Sequence, residues 1–303
     1  MASNSRRPPA RSLLALFGPT ASGKTAVAGI LRERVGATVI SADSAALYDG
    51  LPVITAAPSY PAELVGVIPL TDDVSVGAYQ RLAHDAIDTA DLPLVVGGTG
   101  LYFRAALSAL ELPPPPAPGR REHWQREVDR LGPEAAHALL AERDPRAAAR
   151  VHANDRKRLV RSLELAEAGS SLAPGTSRLW TDDVRSPTLL VALDVPPADL
   201  DRRIEERAAA MAVAGAAVEA RTAWAGRLSA TARKVLGLEQ FATLPEAEAI
   251  EAVAQATRRL ARYQRKWLRR MPGVTTLDGR RPAEELADEI VALGRAREHL
   301  PRH

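Results

Sequence analysis

Residues Gly18-Pro19-Thr20-Ala21-Ser22-Gly23-Lys24-Thr25 follow the apolar run Leu13-Leu14-Ala15-Leu16-Phe17 and open a segment with helical spacing. A buried strand that runs through G-x-x-x-x-G-K-T into a helix is a phosphate-binding loop. Its glycines let successive backbone N–H groups converge on an anion, and the helix N-terminus adds partial positive charge. Lys24 supplies a full charge, and the Thr25 hydroxyl suits a Mg ion riding on the same phosphates. The expected ligand is a di- or triphosphate. The loop alone does not say whether that phosphate belongs to a nucleotide such as ATP.

The segments around the loop alternate strand and helix. Strands are expected at Leu13–Phe17, Thr38–Ser41 and Pro93–Val96, with helices at Lys24–Val35 and Val76–Ala90 between them. That alternation implies a parallel sheet covered on both faces, with ligand loops at the strand ends. Pro113–Pro116 and Pro118 interrupt the pattern, and Arg120–Ala168 then reads as mostly helical, followed by a loop-like Gly169–Pro187. The buried strand Thr188–Asp194 resumes the core, followed by helices over Leu200–Ala212 and Glu246–Met271, a short strand Val274–Leu277 and a closing helix Ala283–Arg297. The expected fold is α/β, a P-loop parallel sheet core covered by helices, with a helical insertion domain. Its parts are 1–117 (first part of the core), 118–187 (insertion) and 188–303 (return to the core plus basic helices).

Composition narrows the class. The 303 residues hold no cysteine, which excludes disulfides, thiolate metal sites and a catalytic thiol, and suits a cytoplasmic setting. No apolar run reaches membrane-spanning length, and the basic start Met1–Arg11 reads as a frayed terminus. The net charge of +3 does not announce nucleic acid, but its distribution does. Arg258–Arg270 contains seven basic residues and no acid, with Tyr263 and Trp267 at i, i+4; a second cluster is Arg156-Lys157-Arg158 with Arg161. One-signed charge interleaved with aromatics fits an RNA backbone contact with stacking platforms, although the two rings also suit a core.

Two strand ends carry candidate chemistry. Asp43-Ser44, after the second strand, can ligate Mg, act as a general base or simply cap a turn. The third strand runs into Gly97-Gly98-Thr99-Gly100 without the carboxylate that a nucleotide hydrolase places there, which favours transfer of another group from a diphosphate.

Gly18–Thr25, Asp43-Ser44 with Tyr48, Thr55-Ala56-Ala57-Pro58, Gly97–Tyr102, Asn154–Arg158 and Thr257–Ala261 through Gln264 and Trp267 stand together in one order. In that set the chain strongly resembles the tRNA dimethylallyltransferase (tRNA isopentenyltransferase) family over nearly its whole length. The resemblance implies transfer of a dimethylallyl group from dimethylallyl diphosphate to the exocyclic amine of the adenosine 3′-adjacent to the anticodon. It implies Lys24 and a Thr25-bound Mg on the diphosphate, Asp43 as the base, and Thr99 and Arg221 along the diphosphate channel. It further implies tRNA contacts at Asp43, Ser44, Ala45, Ala46, Arg121, Lys157, Arg158, Arg161, Arg233, Lys234, Arg262, Gln264, Lys266, Trp267 and Arg269. The expected partners are the tRNA anticodon stem-loop and dimethylallyl diphosphate, bound by a monomer. The sequence departs from the family pattern at Ala46 (commonly Gln), Ala57 (commonly Lys), Pro61–Gly66 and Gly237-Leu238-Glu239. The competing readings are a small-molecule P-loop kinase, a non-catalytic nucleotide-regulated RNA-binding protein, and a free-adenylate prenyltransferase.

Overall fold

A computed structural model describes residues 12–115, 117–173, 179 and 181–301. Met1–Arg11, Pro116 and positions 174–178 and 180 of the expected loop therefore lie outside the described residues. The first unit comprises Met1–Ala109 and Leu179–His303. Its sheet has five parallel strands: β1 (Leu13–Phe17), β2 (Thr38–Ser41), β3 (Pro93–Gly97), β4 (Thr188–Asp194) and β5 (Thr275–Asp278), in the order β2-β3-β1-β4-β5. Every residue of β1 is buried, as a central parallel strand covered on both faces must be.

Alternation along β1 sends Leu14 and Leu16 to one face, where α1 (Lys24–Val35) and α13 (Ala283–Ala296) cover them with Val27, Leu31, Leu286 and Ile290. Phe17 faces the other side and meets Phe103 edge to face at 5.1 Å between ring centres. Phe103 belongs to α4 (Gly100–Leu107), which packs beside α3 (Val76–Thr89). The short α2 (Pro52–Thr55) follows β2 in the chain, before α3. Strand β2 does not adjoin β1: β3 intervenes, so the second strand reaches the phosphate loop only at the C-terminal edge of the sheet.

The second unit, Leu110–Arg178, holds α5 (Arg120–Leu131), α6 (Pro133–Arg143), α7 (Pro145–Ala148) and α8 (Arg156–Glu167) around Trp124, Leu140, Leu159 and Leu163. Its limits fall earlier than the expected 118–187, for a reason visible at each end. The Arg161 guanidinium donates to the Pro114 carbonyl, tying the proline run to α8. At the other end, buried Arg104 donates to the Thr181 carbonyl at 2.8 Å, Ser108 Oγ to that of Asp183 at 2.8 Å, and Arg185 N to that of Leu107 at 2.8 Å, so these residues pack with the sheet unit. Among the described residues no helix is long and apolar enough to cross a membrane.

The first unit closes with α9 (Pro197–Val213), α10 (Ala216–Ala225), α11 (Leu238–Thr243) and α12 (Glu246–Leu268). The acids Glu246 and Glu248 open α12, and Arg265 with Lys266 closes it, matching the helix dipole at both ends.

Candidate active site at the phosphate loop

The loop between β1 and α1, Gly18–Gly23, is sharply turned. Ala21 (φ 62°) and Gly23 (φ 93°) are both left-handed, the alternation that turns consecutive N–H groups inward. Ala21 bears the strain of a non-glycine there, and among the described residues the fully buried Ser22 hydroxyl has no hydrogen-bond partner. Strain and unsatisfied polarity of this kind concentrate where a fold is shaped for a ligand.

Lys24 Nζ donates to the Pro19 carbonyl at 2.6 Å. Burial pulls the ammonium down to about 7; Asp43 pushes back upward, and Arg207 adds to the fall. Asp43 Oδ1 accepts from Ala45 N at 2.9 Å, so part of the carboxylate does serve the turn. Lys24, Thr25, Asp43, Ser44, Ala45, Ala46, Thr99, Lys234 and Gln264 all line one cavity of about 540 Å³. Thr99 begins α4 without a side-chain cap bond, so capping does not account for its hydroxyl. The end of β3 carries no acid. Asp194, at the end of β4, is held by Arg265 at 3.1 Å.

Several expected site residues stand elsewhere. Arg221 is exposed on α10 and does not line the cavity. What α10 contributes is Glu219, whose carboxylate accepts from Val53 N (2.9 Å) and Ile54 N (2.8 Å) and so fixes α2 and the Thr55–Pro58 segment. The second cation at the loop is Arg207 of α9, which sequence reading missed. Its NH1 donates to Thr20 Oγ1 at 3.1 Å, and burial lowers its pKa against the pull of Asp43. Its only sequence signal was a position one helical turn beyond Arg203, obscured by Glu205 and Glu206.

Trp267 is not an open stacking platform. It is 8% exposed and packs against Gly100, where any Cβ would collide with the indole. Gly100→Ala is therefore expected to destabilise the fold by about 1–3 kcal/mol, read as a lowered thermal midpoint. Tyr263, its T-shaped neighbour at 6.4 Å, is 57% exposed and lines the cavity. Gln264 is buried, with Oε1 accepting from Thr20 N at 2.7 Å.

The basic surfaces divide in the same way. On α12 and its C-cap Arg269, Arg258 pairs with Glu205 and Arg265 with Asp194, while Arg259, Arg262, Lys266 and Arg269 are exposed along one face and make no ion pair among the described residues. Arg233 is exposed and stacks on Trp224 at 5.0 Å. In the helical unit, Arg121 (3.1 Å) and Arg161 both bind the buried carboxylate of Glu164, so these two cations are engaged internally. Lys157 and Arg158 stay exposed, and Asp155 caps α8 by accepting from Arg158 N at 3.1 Å.

A parallel sheet with the G-x-x-x-x-G-K-T loop after its central strand, no acid at the end of β3 and one cavity running from that loop to an apolar wall defines an α/β protein with its candidate site at the strand ends. Comparison with known proteins gives the family. The IPP transferase family model matches residues 46–271, so the chain belongs to that family. It is 38% identical to the tRNA dimethylallyltransferase of Kineococcus radiotolerans, covering 95% of this chain and 96% of that one. It is 39% identical to the protein of the same name from an Anaeromyxobacter species, covering 92% and 98%. Among solved structures, the tRNA isopentenylpyrophosphate transferase of Bacillus halodurans superposes with a TM-score of 0.67 at 27% identity, over 97% of this chain and 100% of that one.

Proposed function

We propose that this protein transfers the dimethylallyl group of dimethylallyl diphosphate to the exocyclic amine of the adenosine 3′-adjacent to the anticodon in tRNA. One observation carries the reading: a phosphate loop whose neighbouring strand end lacks an acid opens into a cavity walled by Ile204, Ala208, Met211, Val253 and Leu260. A diphosphate head suits the loop, and a branched five-carbon tail suits the wall. A small-molecule kinase would leave the exposed cationic face of α12 without a use, and a binding protein without chemistry would leave Thr99 without one and Asp43 with only its turn.

In this reading the C1–O bond of the allylic diphosphate breaks and an N–C1 bond forms. Asp43 takes the amine proton, and the diphosphate remains on the loop with Lys24 and Arg207. Stabilising the departing charge is the largest expected effect, because an allylic carbon ionises readily once its leaving group is neutralised. The adenine amine is a weak nucleophile with a delocalised lone pair, so a positioned carboxylate helps. The base must leave its stack to enter the cavity, which costs only a few kcal/mol in a loop.

Mg fits the donor set. The Thr25 hydroxyl and the Asp43 carboxylate are hard oxygens on one cavity, and among the described residues no three His, Asp or Glu side chains form a closed cage. Such a site suits an ion held mainly by substrate phosphates, with Thr25 as the protein ligand. When bound, it would neutralise the leaving diphosphate. Work as a monomer in the cytoplasm completes the reading, and ATP is a competitor for the loop rather than a substrate.

The test is incubation with dimethylallyl diphosphate, Mg and an anticodon stem-loop, followed by nucleoside mass analysis. Prenylated adenosine is expected, and none when the target adenosine is replaced by guanosine; indifference to that base would contradict the reading. Replacing Arg262, Lys266 and Arg269 together by Gln is expected to weaken stem-loop binding about ten- to hundredfold near 0.1 M salt. The same change should flatten the slope of log affinity against log salt by about two to three, leaving pyrophosphate binding unchanged.

A further inference from the structure

The Pro19–Thr20 peptide of the phosphate loop is held at both ends. Its carbonyl accepts from Lys24 Nζ at 2.6 Å, and its N–H donates to Gln264 Oε1 at 2.7 Å. A peptide unit is planar, so rotating one end rotates the other. Gln264 comes from α12, 244 residues away in the chain, and is 3% exposed. Its amide is wedged between Thr20 and Gly98, where a Cβ would stand 2.6 Å from Nε2. Arg207 grips the same residue through Thr20 Oγ1. The Oε1 of this side chain is taken up by the loop amide, whereas the resemblance assigns Gln264 to an RNA contact.

We propose that Gln264 is a positioning residue for the phosphate loop, setting the Pro19–Thr20 peptide and through it the point from which Lys24 moves onto the diphosphate. This rests on the proposed donor, a diphosphate on the loop. Gln264 thus acts on the donor half of the reaction, and the exposed cations of α12 act on the acceptor half.

The test compares the wild-type chain with Gln264→Met, which keeps length and bulk but loses the acceptor. Loss of one hydrogen bond to a loop amide is expected to weaken pyrophosphate binding about three- to tenfold by titration calorimetry. KM for dimethylallyl diphosphate should rise by a similar factor, while KM for the stem-loop stays within about twofold, since the bond lost is one to the loop. A purely structural role would lower the thermal midpoint and leave pyrophosphate affinity unchanged at temperatures well below it; that result overturns the proposal. So does a raised KM for RNA with normal pyrophosphate binding, which would mark Gln264 as an RNA contact. Should Gln264→Met fail to fold, hydrogen exchange at the Thr20 amide of the wild-type chain decides: slow exchange supports the bond, and exchange at the rate of an open loop refutes it. A wild-type chain that binds no pyrophosphate would instead overturn the donor assignment itself.

Discussion

Asp43→Ala is expected to lower kcat for RNA prenylation by about 10²–10⁴ while leaving stem-loop affinity nearly unchanged. The carboxylate lines the cavity within electrostatic reach of both Lys24 and Arg207, yet its one hydrogen bond among the described residues serves only the local turn to Ala45. A residue that merely capped the turn would cost about 1 kcal/mol of stability when removed and would not change the chemical step selectively. Single-turnover kinetics with saturating RNA separate the two. A rate within a fewfold of wild type, accompanied by a lowered thermal midpoint, would reduce Asp43 to a turn residue.

Lys24→Met is expected to cut kcat/KM for the allylic diphosphate by about 10²–10³ and to abolish a proton-linked component of binding. In the free protein, burial holds the Lys24 ammonium near 7, well below its ordinary range. A diphosphate beside it favours the charged form, so its pKa rises on binding. Between the two values binding takes up a proton, and Lys24-dependent affinity is complete below pH 7 and declines as pH rises above it. Calorimetry at pH 8 in two buffers of different ionisation heat should show uptake approaching one proton for wild type. The uptake should be smaller by that amount in Lys24→Met. Equal proton uptake in the two proteins would contradict the assignment.

Much of this was legible in the sequence because the signals were local. The phosphate loop, the first three strands and the acid-free end of β3 each follow from residues adjacent in the chain, and strand periodicity located β4 as the return to the core. The basic segment of α12 was equally plain as charge, but not as geometry. Arg258 and Arg265 follow the same helical spacing as their exposed neighbours, and only tertiary packing shows that Glu205 and Asp194 neutralise them. Trp267 was ambiguous between platform and core for the same reason, until Gly100 supplied the flat surface against it. Helix α4 gave no periodic signal because every position but one is buried, Arg104 included, and a helix buried all round has no stripe. Arg207 was hidden by the two glutamates before it, whereas Arg221 matched a family pattern but faces solvent.

The departures from the family pattern have structural counterparts. Ala46 is buried against the cavity, so the missing glutamine leaves a smaller and less polar wall at that point. Ala57 lines the same cavity without the cation that commonly stands there, leaving Lys24, Arg207 and Lys234 as its basic residues among those described.

The most direct measurement follows the fate of the leaving group. With dimethylallyl diphosphate, Mg and stem-loop RNA, pyrophosphate should appear one-for-one with prenylated adenosine, and neither should form without RNA. ATP under the same conditions should release no phosphate. Steady ATP hydrolysis, with dimethylallyl diphosphate left intact in the presence of RNA, would contradict the account.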